Sequence, residues 1–166
     1  PWTQDFENAD NGLPGFLMDG LWGLSKRSSS KEPELPGDGN TTYIGINPGK
    51  AWFERRVDSN LYLPPIDLST VKADEHPSLN MDMYTGFTGL CLAKVQASTT
   101  GGGEGSWEDL YNVILRPDIT ERSWTHCTFS LEKYAGLTTP LQLRFYFFGH
   151  DADPDDGAGW YLDNLS

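Results

Sequence analysis

Residues 141–148 read Leu-Gln-Leu-Arg-Phe-Tyr-Phe-Phe, apolar and polar in alternation over most of the run. Side chains of a β-strand point to its two faces in turn, so this pattern predicts a strand with one face in a core. Ser78 to Thr85 repeats it, with Leu79, Met81 and Met83 on one face and Asn80 and Asp82 on the other. Shorter runs of the same kind predict strands near 3–6, 21–24, 41–46, 61–63, 90–97, 124–131 and 160–165. In the 124–131 run, Trp124, His126, Thr128 and Ser130 share one side. Residues 107–115 suit a strand or a short helix, and no amphipathic helix of three turns appears anywhere. The 18 Gly and 11 Pro fall between these runs as turn punctuation. Many short strands separated by turns make an all-β fold, a sandwich or a jelly roll, and turn spacing does not choose between them.

A chain of 166 residues is expected to form a single domain, 1–166, with a core large enough to fold without staples. Six Trp and 13% aromatic residues exclude a disordered chain, which is poor in such groups. The formal charge of −12 repels phosphate backbones and anionic lipid. It therefore argues against nucleic acid and membrane surfaces, and it favours either simple solubility or hard cations such as calcium. No apolar run is long enough to span a membrane. The chain opens on Pro1-Trp2 and closes within a strand-like pattern, as expected of a domain excised from a larger protein. Cys91 and Cys127 lack zinc-site spacing. Either they are two buried thiols, or they lie near each other in successive late strands and form one bridge.

Two constellations stand out from the residues alone. The stretch from His150 to Gly157 carries Asp151, Asp153, Asp155 and Asp156. Acids at alternate positions before a glycine imitate the start of a calcium loop, although Gly falls one place late and no Glu follows at the twelfth position. A solvated acidic loop is the alternative. The second is Trp52-Phe53-Glu54-Arg55-Arg56, just after a Pro-Gly turn. An exposed aromatic beside guanidinium groups suits a sugar ring, with Trp52 stacking and Arg55 and Arg56 donating hydrogen bonds, unless the aromatic packs in the core. With the strands devoted to core alternation, ligand contacts are expected from loops. For catalysis, His76, His126 and His150 are the candidate bases, and no nucleophile elbow of the Gly-x-Ser-x-Gly type is present. No catalytic residue is expected.

Several phrases occur in order along the chain: Asp5-Phe6-Glu7, Trp22, Leu63-Pro64-Pro65-Ile66-Asp67-Leu68-Ser69, Pro77-Ser78-Leu79-Asn80-Met81 and Trp124. Phe129-Ser130-Leu131, Tyr134-Ala135-Gly136, Leu141 to Phe145 and the close Gly159-Trp160-Tyr161-Leu162-Asp163-Asn164 complete the series. Together they resemble the MAM-like jelly rolls of secreted bacterial proteins, including accessory domains of immune-inhibitor-A-type proteases and choice-of-anchor J surface domains. The resemblance covers nearly the whole chain.

It implies a two-sheet antiparallel jelly-roll sandwich without catalytic residues, secreted or at the cell surface and monomeric as an isolated domain. Its partner would be a glycan or a cell-surface protein. Alternatives are a carbohydrate-binding module of a polysaccharide-degrading enzyme and a structural spacer of a giant surface protein. The resemblance also implies a calcium ion shared by Glu7 and Asp163, with Asn40 in the turn that supplies further oxygens. It implies a core role for Trp22, Trp124 and Trp160. The polar stretch 26–39 and the acidic stretch 150–157 depart from the family pattern.

Overall fold

The computed structural model describes residues 2–9, 13–26, 33–34, 42–46, 57–86, 91–115, 122–149 and 159–166. Ten strands follow in chain order: β1 (Leu17–Met18), β2 (Trp22–Ser25), β3 (Tyr43–Ile46), β4 (Val57–Tyr62), β5 (Ser78–Thr85), β6 (Leu92–Ser98), β7 (Glu108–Asn112), β8 (Trp124–Ser130), β9 (Gln142–Gly149) and β10 (Trp160–Asp163). They form two five-stranded sheets, ordered β1-β4-β9-β6-β7 and β2-β3-β10-β5-β8. Every pairing is antiparallel. Only short 3-10 turns supplement the strands among the described residues, so the fold is a two-sheet antiparallel jelly-roll sandwich.

Alternation closes the core from both sides. On β5 the residues Leu79, Met81 and Met83 are buried, and on β9 Leu143, Phe145 and Phe147 are fully buried. Rings bridge the two layers: Phe145 of β9 meets Trp160 of β10 at 5.7 Å between centroids and Trp22 of β2 at 6.3 Å. Tyr111 of β7 meets Phe129 of β8 at 4.6 Å. These interdigitated inner faces remove the large apolar side chains from water, at roughly 25 cal/mol per Å² of apolar area. The two ends of the chain are tied together where Gln4 and Leu165 exchange backbone hydrogen bonds at 2.7 and 2.9 Å.

Several expectations are met at the level of single residues. The 78–85 strand has the predicted bounds and faces. The ambiguous 107–115 stretch is a strand followed by a 3-10 turn at Val113–Leu115. Two features differ. The fourth strand begins at Val57, four residues before the predicted Leu61. Its leading Asp58-Ser59-Asn60 looks like a loop, yet Ser59 and Asn60 are buried. Ser59 Oγ accepts Leu21 N at 3.0 Å, and the Asn60 side chain donates to both oxygens of Asp19. Burial of polar residues is tolerable when such partners are supplied. The two-residue β1 carries no period that sequence could reveal.

One tertiary expectation is corrected and one alternative is decided. Trp22 and Trp160 lie in the core, but Trp124 is half-buried on the outer face of the second sheet. Its ring packs on Tyr43 and Tyr84, 6.0 and 5.8 Å away, and its Nε1 donates to the Glu34 carbonyl. That aromatic cluster depends on Gly45, because a Cβ at this position would run into the Tyr161 ring. Cys91 and Cys127 are buried thiols, not a disulfide. Cys91 leads into β6 of one sheet and Cys127 lies on β8 of the other, because the chain changes sheet between β7 and β8.

Candidate functional site

The outward face of the β1-β4-β9-β6-β7 sheet carries a continuous array of aromatic and polar side chains. Antiparallel register lines them up in rows. Asp58, Phe148 and Leu92 form one row across β4, β9 and β6. Asn60, Tyr146, Lys94 and Asn112 form the next. Leu17, Tyr62, Arg144, Gln96 and Asp109 form the third, from β1 across to β7. With strands about 4.8 Å apart, the five-strand row is roughly 19 Å wide, and successive rows lie roughly 7 Å apart. The parity that sends Leu143, Phe145 and Phe147 inward sends Gln142, Arg144, Tyr146 and Phe148 outward.

Arg144 is the centre of this face. Its Nε donates to Gln96 Oε1 at 2.8 Å and its Nη1 to Asn60 Oδ1 at 3.0 Å. Its guanidinium carbon lies 4.2 Å from the centre of the Trp107 ring and 5.2 Å from that of Tyr146. The amides that receive Arg144 are themselves held. Asn60 donates to Asp19, and Gln96 Nε2 donates to Asp109 Oδ1 at 2.7 Å. Lys94 Nζ reaches Asp109 Oδ2 at 2.6 Å, and the Tyr146 hydroxyl donates to Asp58 Oδ1 at 2.6 Å. Each polar side chain is thereby set in one orientation before any ligand arrives, which reduces the entropy lost on binding.

The electrostatics follow from these contacts. Burial alone would raise the Asp109 carboxyl. Hydrogen bonds from Lys94 and Gln96, with the charges of Lys94 and Arg144, outweigh it and hold the group below the usual carboxylate range. The Tyr146 phenol is pushed up to about 12, first by burial and then by the hydrogen bond and charge of Asp58. It is a neutral donor at any physiological pH.

Beside Arg144, the Trp107 and Tyr62 rings pack against each other, tilted by 48°, with centroids 5.9 Å apart. They wall a cleft of about 270 Å³ lined also by Leu17, Gln142 and Gly102. Gly102 has φ +80°, and a Cβ there would come within 3.0 Å of the Trp107 ring. The glycine lets the 98–106 turn fold against the indole; Ser98 Oγ anchors that turn by accepting the Gly102 N–H at 3.1 Å. Trp107 Nε1, the Tyr62 hydroxyl, Arg144 Nη2 and the Gln142 amide hydrogen-bond to no described residue. They are polar groups open to solvent or to a ligand.

Of the residues singled out in the sequence, Asn40, Trp52, Arg55, Arg56, Asp151, Asp153 and Asp155 lie outside the described residues. The other two are brought to one end of the second sheet. Glu7 Oε1 accepts Thr42 N at 2.8 Å, directly before β3. Asp163 ends β10, which pairs with β3 on one side and β5 on the other, and it is fully buried opposite Asp82. Its Oδ1 accepts Asn164 N at 2.8 Å. Among the described residues no three His, Cys, Asp or Glu side chains gather as a metal cluster. His76 and His126 are exposed and paired with Glu132 and Asp82. The Arg144 face itself was not recognised in the sequence. The outward residues of 142–148 were available by parity, but nothing local shows that Trp107, Asn60 and Gln96 gather around Arg144.

No protein-family model matches the chain, and no curated protein matches it in sequence. Solved structures match its fold. The K1 cleaved adhesin domain of Lys-gingipain from Porphyromonas gingivalis W83 aligns over 99% of this chain and 95% of its own, at 16% identity and a TM-score of 0.61. TmCBM61, solved with β-1,4-galactotriose, aligns over 98% and 94%, at 9% identity and a TM-score of 0.56. The CBM27-1 module of Caldicellulosiruptor saccharolyticus, solved with mannohexaose, aligns over 99% and 94%, at 18% identity and a TM-score of 0.52. At these identities the likeness is one of fold: this chain shares the β-sandwich of adhesin and carbohydrate-binding domains.

Proposed function

We propose that the protein is a non-catalytic recognition module of an extracellular multidomain protein, and that the Arg144 face is where it holds a glycan. The observation that carries this reading is the arrangement of Arg144 against Trp107, with Tyr62 packed beside the indole. Sugar rings offer apolar C–H faces and a rim of hydroxyls. Flat aromatic rings match the first, and fixed guanidinium, amide and carboxylate groups match the second. The neighbours solved with galactotriose and mannohexaose support the glycan reading, and the adhesin domain supports a role in attachment.

An open face with few rings predicts weak binding, with Kd of roughly 0.1 to 1 mM, about −4 to −5.5 kcal/mol. Electrophoresis through gels containing single polysaccharides tests it. The protein should be retarded by at least one glycan, and Trp107→Ala should remove that retardation. Retardation that survives both Trp107→Ala and Arg144→Ala would place the ligand elsewhere.

We also propose that Glu7 and Asp163 hold calcium. The fully buried Asp163 carboxylate, together with Glu7 at the neighbouring end of β3, offers the hard oxygen donors this ion takes. Bound there, calcium would supply positive charge against buried carboxylate and tie the first segment of the chain to its last strand.

A further inference from the structure

We infer that the Arg144 face selects uncharged glycans and turns away chains bearing uronate or sulfate, an inference that rests on the glycan reading above. The balance of charge on one surface sets this preference. Asp19, Asp58 and Asp109 stand on or beside the face, against Lys94 and Arg144. Lys94 is engaged by Asp109 at 2.6 Å. Asp58 and Asp19 are served by neutral donors, the Tyr146 hydroxyl and the Asn60 amide, and neither has a cationic partner among the described residues. Arg144 is bonded to two neutral amides and lies close enough to Asp109 for its charge to be felt there.

Recognition of polyanions normally needs clustered Arg and Lys, with guanidinium forks on the anionic groups. Among the described residues of this face one arginine is ringed by aromatic groups and carboxylates, in a chain of net charge −12. An approaching uronate would meet more like charge than opposite charge. A neutral hexose chain has no such penalty. Its hydroxyls donate to the spare lone pairs of Asp58 and Asp109 and accept from Arg144 Nη2 and Trp107 Nε1, while its ring face lies on Trp107 or Tyr62. Acidic groups here supply acceptors for hydroxyls and at the same time exclude anions.

The test measures retardation of the wild-type protein by neutral polysaccharides (galactan, glucomannan) and by polygalacturonate and dextran sulfate at about 20 mM salt, where electrostatics are weakly screened. Retardation by a neutral chain and none by either polyanion is expected. The double variant Asp58→Asn, Asp109→Asn should raise the ratio of polyanion to neutral retardation by about tenfold, since like charge has been removed. The wild-type protein supplies a second measurement: its neutral retardation should change little between about 20 and 300 mM salt. Polyanion binding by the wild type that is lost in Trp107→Ala would overturn the selectivity and leave the glycan face standing. No retardation by any chain, with Arg144 and Trp107 variants indistinguishable from wild type, would overturn the glycan reading and this inference with it.

Discussion

The guanidinium carbon of Arg144 sits over the Trp107 ring, 4.2 Å from its centre, while two of its nitrogens donate to Gln96 and Asn60. The contact joins β9 to the segment leading into β7, and it defines the orientation of both groups. A planar fork can stack and donate at once, whereas a lysine ammonium cannot.

Arg144→Lys is therefore expected to behave like Arg144→Ala in glycan retardation, with binding weakened by about tenfold or more. The melting temperature should fall by only a few degrees in either variant, because the side chain is half-exposed on an outer face. Full binding by Arg144→Lys would show that charge alone matters.

Tyr146 makes the protein sensitive to alkali in a defined window. Its phenol is raised to about 12 by burial and by Asp58, so the folded state keeps a proton that the unfolded chain loses near pH 10. The stabilisation is complete below about pH 10 and declines as the pH rises through about 12. Tyr146→Phe should accordingly lose less stability between pH 9 and 12 than the wild type, read by denaturant midpoints. Parallel pH curves would show that Asp58 does not hold this proton.

Calcium should raise the melting temperature over that in chelator, since a ligand of the native state alone stabilises by mass action. Asp163→Asn should abolish the shift. Asp58→Asn, on the opposite sheet, should retain it. Identical midpoints with calcium and with chelator would remove the ion from Glu7 and Asp163.

Both cysteines should titrate as thiols. In denaturant a chromogenic disulfide reagent should count two per chain without prior reduction, and in native buffer both should react slowly because both are buried. A count of zero in denaturant would mean that the pair is oxidised.

Parity along single strands was legible without any structure. Spacing alone puts Leu79, Met81 and Met83 on one face and makes 141–148 a strand. The fourth strand shows where such reading stops. Asp58-Ser59-Asn60 has the composition of a loop, and only Asp19 and the Leu21 backbone, roughly 40 positions earlier, make it a buried strand. Trp124 shows the same limit from the other direction. An indole suggests a core, but parity places Trp124 with His126, Thr128 and Ser130 on the outward side, where Tyr43 and Tyr84 cover it.

By itself the sequence determined the class of fold, because a period of two with frequent turn residues leaves a chain no way to bury its apolar side chains except between sheets. It also determined which residues of each strand lie on one face, since that parity is a property of the extended backbone. Only the tertiary structure decided which strands are neighbours. Arg144 meets Gln96, Asn60 and Trp107 across sequence separations of 48, 84 and 37 positions. Such encounters depend on strand order and register, which are settled by the packing of the whole core rather than by any local preference.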